Sequence, residues 1–246
     1  MRFIITQGRV FFMAALMAAV LMLGCGGDDG GGVWVDTNNP GNGGNGGSGE
    51  TVALGGKTWM AKNLNIQTAD SWCYGEGGPV YDAGHSGETI TSSEVQANCA
   101  KYGRLYTWSA ARSACPLAGT GWRLPTRADW DALAQAAGGR RYEDNWPDWH
   151  DWELAGRNLK STSGWNWNDG DNASGNGTDT YGFSALPGGR CHGSHFGNAG
   201  LYGHWWAAEE YGSDDAYFRY VHYDDDGLYE YAFAKSLAYS VRCVRD

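Results

Sequence analysis

Basic charge is scarce in this chain: 18 Lys and Arg stand against 28 Asp and Glu, a formal net charge of −10 with histidine neutral. No run of Lys or Arg breaks that acidic background. Gripping a phosphate backbone takes clustered cations, so the composition argues against a nucleic-acid partner. A phosphate-cradling glycine loop is missing as well; the 39 glycines punctuate turns instead. No segment repeats at a fixed period, which removes a solenoid. Nor is any stretch beyond residue 23 apolar enough to span a bilayer, which takes about 20 such residues.

The one long apolar run, Val10 to Leu23, lies at the N-terminus behind Arg2 and Arg9. It is short for a membrane span and suits the apolar core of an export signal. It ends in LMLGC, where small Gly24 precedes Cys25. That ending resembles a bacterial lipobox, with Met22 where leucine is usual, and implies cleavage before Cys25 and lipidation of its thiol. The alternative is a plain secretory signal with an incidental cysteine. The expected organisation is a signal peptide over residues 1–24, a tether over 25–49 and one folded domain over 50–246. Gly, Asn and Asp dominate the tether, so it should behave as a flexible coil. Its Asp28 and Asp29 resemble acidic export tags and read equally well as solvated linker charges. Together these features predict an outer-membrane lipoprotein, displayed at the surface of a bacterial envelope and touching the membrane only through its lipid.

The domain holds every tryptophan of the thirteen except Trp34. With Cys25 set aside, Cys73, Cys99, Cys115, Cys191 and Cys243 remain, an odd set that in an oxidising compartment predicts two bridges and one free thiol. Thr51 to Leu64 reads as a hairpin turning at Gly55-Gly56. Thr107 caps a helix in which Trp108, Ala111 and Cys115 share a face. In GWRLPTRADW (residues 121–130), Thr126 is an N-cap and Asp129 closes a capping box. Trp130, Leu133, Ala134 and Ala137 then form one apolar stripe, ended by Gly138-Gly139. The motif is thus explained by helix construction, with no nucleophile or base required. Later segments (YGFSALPGG, HWWAAEE, AYFRYVHY, LYEYAF, YSVRCVRD) read as strands, and Asp224-Asp225-Asp226-Gly227 reads as a hairpin turn. Two early helices and mostly antiparallel later strands give an α+β domain.

WMAKNL, CAKYGRLYTWSAA, CPLAGTGWRLPTRADW, LKSTSGW, GTDTYGFSALPGG, HWWAAEE and SVRCVRD, in this order, resemble the Fibrobacter succinogenes major paralogous domain. RLPTxxDW and the terminal VRCVRD more distantly resemble the formylglycine-generating enzyme and C-type-lectin-like superfamily. The resemblance implies a single disulfide-stapled α+β domain whose ends meet and whose late strands display a binding surface. It also implies the pairs Cys73–Cys99 and Cys115–Cys243, with Cys191 unpaired.

Three constellations carry possible chemistry. RCHGSH places Cys191, His192 and His195 together, a conceivable soft-metal set, but the spacing fits no closed zinc pattern and reads equally as a loop with a spare thiol. Formylglycine-generating enzymes need two cysteines near this point; only Cys191 is present. NDGDNASGNGTD offers Asp169, Asp171, Asn176 and Asp179 as oxygen ligands for Ca²⁺, although Asn, Asp and Gly also gather in plain turns. Aromatic density around NWPDWHDW and from Trp205 to Tyr231 suits either a core or a contact surface. The expectation is a non-catalytic binding module with no required cofactor, engaging a glycan or protein through Tyr220, His222, Tyr229 and Tyr231. A formylglycine-generating-type oxidase and a purely structural envelope protein are the alternatives.

Overall fold

The computed structural model describes residues 50–82, 84–142, 150–168 and 173–246. Its outer seam joins the two ends of the domain. Strand Thr51–Leu54 turns through Gly55 and Gly56, both at positive φ, into Lys57–Met60, and the terminal strand Val244–Arg245 adds to the free edge of that hairpin. Only glycine serves at position 55, because a Cβ there would meet the Ala132 backbone at 2.6 Å. The two ends are also stapled covalently: Cys115 is bridged to Cys243 across a sequence separation of 128.

Among the described residues there are four α-helices: α1 (Ser92–Tyr102), α2 (Trp108–Ala114), α3 (Arg127–Ala136) and α4 (Ala155–Leu159). Two of these, α2 and α3, follow the sequence reading. Thr107 caps α2, and Thr126 and Asp129 close a capping box on α3. Trp130, Leu133, Ala134 and Ala137 are fully buried, as the apolar stripe requires. The helix α1 was not expected. It has a capping box of its own, Thr91 with Glu94, but only Tyr102 is buried along its length. It is held to strand Ser71–Cys73 by the Cys73–Cys99 bridge.

The largest sheet has seven strands in the spatial order 229–234, 215–222, 202–211, 188–192, 195–199, 80–82 and 85–88. Pairing is antiparallel except between Gly188–His192 and Tyr202–Tyr211 and between His195–Ala199 and Val80–Asp82. The acidic turn at residues 224–227 connects Asp215–His222 to Tyr229–Ala234, as the sequence indicates. Two expected strands are largely absent. YGFSALPGG is interrupted by positive φ at Gly182 and Ser184, and only its last two residues enter a strand. YSVRCVRD makes single bridges to Tyr106 and Trp205 before its one short strand, where Val244 also bridges Arg123.

The ordered motifs converge on buried polar anchors. Arg242 is fully buried; its guanidinium donates to Asn63 Oδ1 at 3.0 and 3.1 Å and to the carbonyls of Met60, Phe183 and Ser184. Asn63 Oδ1 also accepts from Trp205 Nε1 at 2.9 Å. Thus WMAKNL, HWWAAEE and VRCVRD meet at one amide. Burial of charge without hydrogen bonds is costly, and this geometry supplies the missing partners. No helix among the described residues is long and apolar enough to cross a membrane.

Candidate functional site

Alternation along three neighbouring strands sorts their side chains onto two faces. Toward α3 point Trp205, Tyr217, Arg219, Val221 and Glu230. Toward the other side point His204 and Trp206, then Phe218, Tyr220 and His222, then Tyr229, Tyr231 and Phe233. The register confirms the rows: His204, Tyr220 and Tyr229 lie side by side, as do Trp206, Phe218 and Tyr231. Ring contacts run along them, with Tyr220 stacked on Tyr229 at 5.3 Å, Tyr202 against His222 at 4.1 Å and Phe218 edge-on to Tyr231 at 6.2 Å.

This aromatic face is closed at one side and open at the other. Residues of α2 and the segment 237–241 cover Trp206 and Phe218. Beyond them the cover ends. Tyr220, His222 and Tyr229 are half-buried, while Tyr231 and Phe233 are 49% and 43% exposed on the edge strand. The four expected residues therefore do share one face. Sequence reasoning missed Phe233, whose place follows from alternation in YEYAFA, and Tyr202 and Tyr142. Tyr142 stacks on Tyr229 at 6.1 Å from a segment remote in sequence, for which no sequence signal exists.

The acidic turn braces this face. Asp225 accepts hydrogen bonds from the Tyr229 hydroxyl at 2.6 Å and from its own turn at Gly227. Burial and that carboxylate push the Tyr229 hydroxyl far above its ordinary range, so it stays a donor. Buried Lys160 donates to the carbonyls of His222 and Asp225, pinning both ends of the turn. Its ammonium is shifted downward by burial. Asp224 pairs with His222, and Asp226 with Arg157 at 3.6 Å. Burial raises Tyr220 to about 12. His204, stacked on Tyr239 at 4.9 Å, is wholly buried and held down to about 3, mainly by desolvation.

The opposite face is an ion network. Arg219 and Glu230 are both buried and lie 2.9 Å apart. Arg127 of α3 reaches Glu230 at 2.5 Å, and Arg219 reaches Asp131 at 2.8 Å. His150 binds Asp131 at 2.5 Å. Arg127 and Asp129 of GWRLPTRADW are thus structural: one enters this network, the other closes the cap and pairs with Arg123.

The remaining constellations resolve differently. Cys191 is not a free thiol: it is buried and disulfide-bonded, its partner lying outside the described residues. The expectation of an unpaired Cys191 is therefore corrected. A bridged sulfur offers no thiolate, so the triad with His192 and His195 fails as a soft-metal set. The two imidazoles instead face each other across a hairpin, 5.6 Å apart. In the suggested Ca²⁺ loop, Asp169 and Asp171 lie outside the described residues. Asn176 Oδ1 accepts from the Trp165 amide at 3.0 Å, and Asp179 accepts from the Ser184 amide and hydroxyl. Among the described residues no three metal-ligating side chains cluster. Cys25, Trp146 and Trp149 also lie outside the described residues; Trp152 is buried.

Fold and site define an α+β domain, disulfide-stapled, with a braced and half-open aromatic sheet face. Residues 52–245 match the model of the Fibrobacter succinogenes major domain, and the chain belongs to that family. No curated protein and no solved structure matches it.

Proposed function

We propose that this protein is a lipid-anchored, surface-displayed binding module with a C-type-lectin-like fold and no catalytic role, which takes a glycan or a protein partner on its aromatic sheet face. In the anchored form Cys25 carries lipid on its sulfur, which excludes a bridge from that sulfur to Cys191, and holds the protein to the outer membrane of a bacterial envelope; the Gly/Asn/Asp-rich tether sets the domain off from the bilayer. One observation carries the reading: rings from three strands lie in register on one face, yet remain open to water toward the edge strand. Tyrosine suits a contact surface because its ring carries much area with few rotatable bonds, so little side-chain entropy is lost on contact. The fixed hydroxyl of Tyr229 and the acidic turn add directional polar groups beside the rings. Sugars and protein surfaces both use that combination of flat apolar area and oriented hydrogen bonds.

The test is a glycan array probed with the full chain, followed by single alanine variants at Tyr220, His222, Tyr229 and Tyr231. Each variant that keeps the parental melting temperature should bind at least about tenfold more weakly, the scale of a lost contact residue. Parental binding by every folded variant, with loss on Trp149→Ala, would move the site to the Trp146–Trp152 segment. The oxidase alternative finds no support at Cys191, which has no second cysteine beside it in the sequence. Copper-dependent turnover of a cysteine-containing peptide would reinstate it.

A further inference from the structure

On the same sheet, beyond the aromatic face, lies a pocket of about 290 Å³ lined by Tyr81, Arg190, His192, His195, Phe196, Gly197 and Asn198. Its construction follows from strand order. Arg190 stands opposite Gly197 across one pair of strands, and Gly197 stands beside Tyr81 across the next. The middle position of that three-residue row therefore has no side chain, and a dent opens between a guanidinium and a phenol ring. His192 and His195, paired at the hairpin end, wall it on one side, with Tyr81 edge-on to His195 at 5.5 Å.

The charge here is out of keeping with the molecule. In a chain of net charge −10, the pocket lining contains one arginine, two imidazoles and no carboxylate. Arg190 is half-buried, hydrogen-bonds the Tyr239 hydroxyl and forms no ion pair among the described residues, whereas almost every other buried or half-buried arginine has either a carboxylate or a set of carbonyls around it. Burial and then the Arg190 charge lower the proton affinity of His192, and the parallel register of Gly189 with Gly203 sets Arg190 next to His204 of the aromatic face. The pocket and the aromatic rows therefore adjoin on one side of the sheet.

We propose that this pocket binds the carboxylate of an acidic sugar, a hexuronate unit of a longer glycan whose neighbouring residues lie along the aromatic face. The proposal rests on the binding-module reading and names its ligand class. Arg190 supplies the planar donor fork that matches a carboxylate, and the two imidazoles and Asn198 supply directional contacts to hydroxyls. Tyr81, 52% exposed, gives an apolar ring surface of the kind that packs against a pyranose. The volume sits at the lower end of the range for small-ligand pockets, roughly 300–1,000 Å³, which admits one ring and not a chain. A lone arginine is too little for a nucleic-acid backbone, whose binding scales with the number of neutralised phosphates.

The experiment titrates the full chain, in detergent micelles, with glucuronate, glucose and sulfate, followed by calorimetry or ligand-observed NMR. Glucuronate should bind at least about tenfold more tightly than glucose, and Arg190→Gln should abolish that difference, as loss of a charge-assisted hydrogen bond does. Tyr81→Ala should weaken glucuronate while the melting temperature is retained, and Arg190→Lys should recover only part of the preference if Arg190→Gln proves unstable. Equal binding of glucuronate and glucose overturns the proposal. So does sulfate binding as tightly as glucuronate, which would mark a general anion site, or an acid preference that survives in both Arg190 variants. If the aromatic-face variants bind glycans like the parent while glucuronate binding still depends on Arg190, the face assignment has failed and the pocket stands. If no glycan binds but glucuronate alone does so weakly and without dependence on Arg190, the pocket fails.

Discussion

The two faces of strands 202–211, 215–222 and 229–234 are built from neighbouring residues of the same segments, and they solve different problems. On the α3 side, the charged side chains were taken out of water and paired: Arg219 and Glu230 against each other, Arg127 and Asp131 around them. On the other side, aromatic residues are closed over by α2 only as far as Trp206 and Phe218, and the rows then run out half-wet. The difference separates what the fold requires from what it displays. A sheet face needs cover to form; a face left partly uncovered, with its rings held by an Asp-braced turn, has been kept for contact.

The largest effect should come from breaking the covered face. Glu230→Ala removes the carboxylate shared by Arg219 and Arg127, leaving a guanidinium that is 0% exposed with one charged partner fewer. Breaking a buried pair by removing one member costs about 3–5 kcal/mol. Urea denaturation should show that loss. A change below about 1 kcal/mol would mean the network is weakly held and the two faces are less distinct than described.

Next comes the seam. Cys115→Ser with Cys243→Ser opens a loop closed over 128 residues and should lower stability by about 2–4 kcal/mol. Binding by the folded fraction should stay at the parental level, because the staple lies behind α2 and not on the open rows. Loss of binding at full folding would show that the covered and open regions are coupled.

A pH titration sharpens the comparison further, since His204 lies under the aromatic face. Its proton affinity is depressed in the fold, to about 3 from the ordinary 6.5, so the unfolded chain binds the extra proton between those values. Stability is therefore complete above about pH 6.5 and falls as pH drops toward 3. Between pH 7 and 5.5 the loss should be about 1 kcal/mol, and His204→Phe should flatten that slope. An unchanged slope in the variant would assign the titration elsewhere.

How much of this was readable beforehand differs by element. The helix α3 was legible because its capping box and apolar stripe agree, Thr126 and Asp129 at the start and Trp130 to Ala137 along one side. The helix α1 has the cap without the stripe: only Tyr102 is buried, so periodicity had nothing to register. YSVRCVRD has strand composition, yet Arg242 is drawn inward to Asn63 and the carbonyls around it, and the ladder is reduced to single bridges. At the candidate site, alternation placed Tyr220 with His222, and Tyr229 with Tyr231. It did not say which face is wet, because Tyr217 and Phe218 put aromatics on both. The pocket at Arg190 was beyond reach, since it depends on Val80–Asp82 pairing with a strand more than a hundred residues later.

The smallest effect on stability should be the most informative about function. Tyr231 is 49% exposed and touches Phe218 edge-on, so Tyr231→Ala removes a partly solvated ring and leaves no closed cavity. Substitutions at such positions usually stay within about 0.5 kcal/mol. The neighbouring Tyr220→Ala should cost more, because its ring is stacked on Tyr229 and half-buried against the α2 side of the core. If the open rows exist for contact, the two variants should separate in a melting curve but both lose affinity in a binding assay: Tyr231→Ala near-parental in stability but weaker in binding, Tyr220→Ala weaker in both. If Tyr231→Ala instead lowers the melting temperature as far as Tyr220→Ala does and leaves binding untouched, the edge of this face belongs to the core, and the contrast between its two sides fails at the point where it matters most.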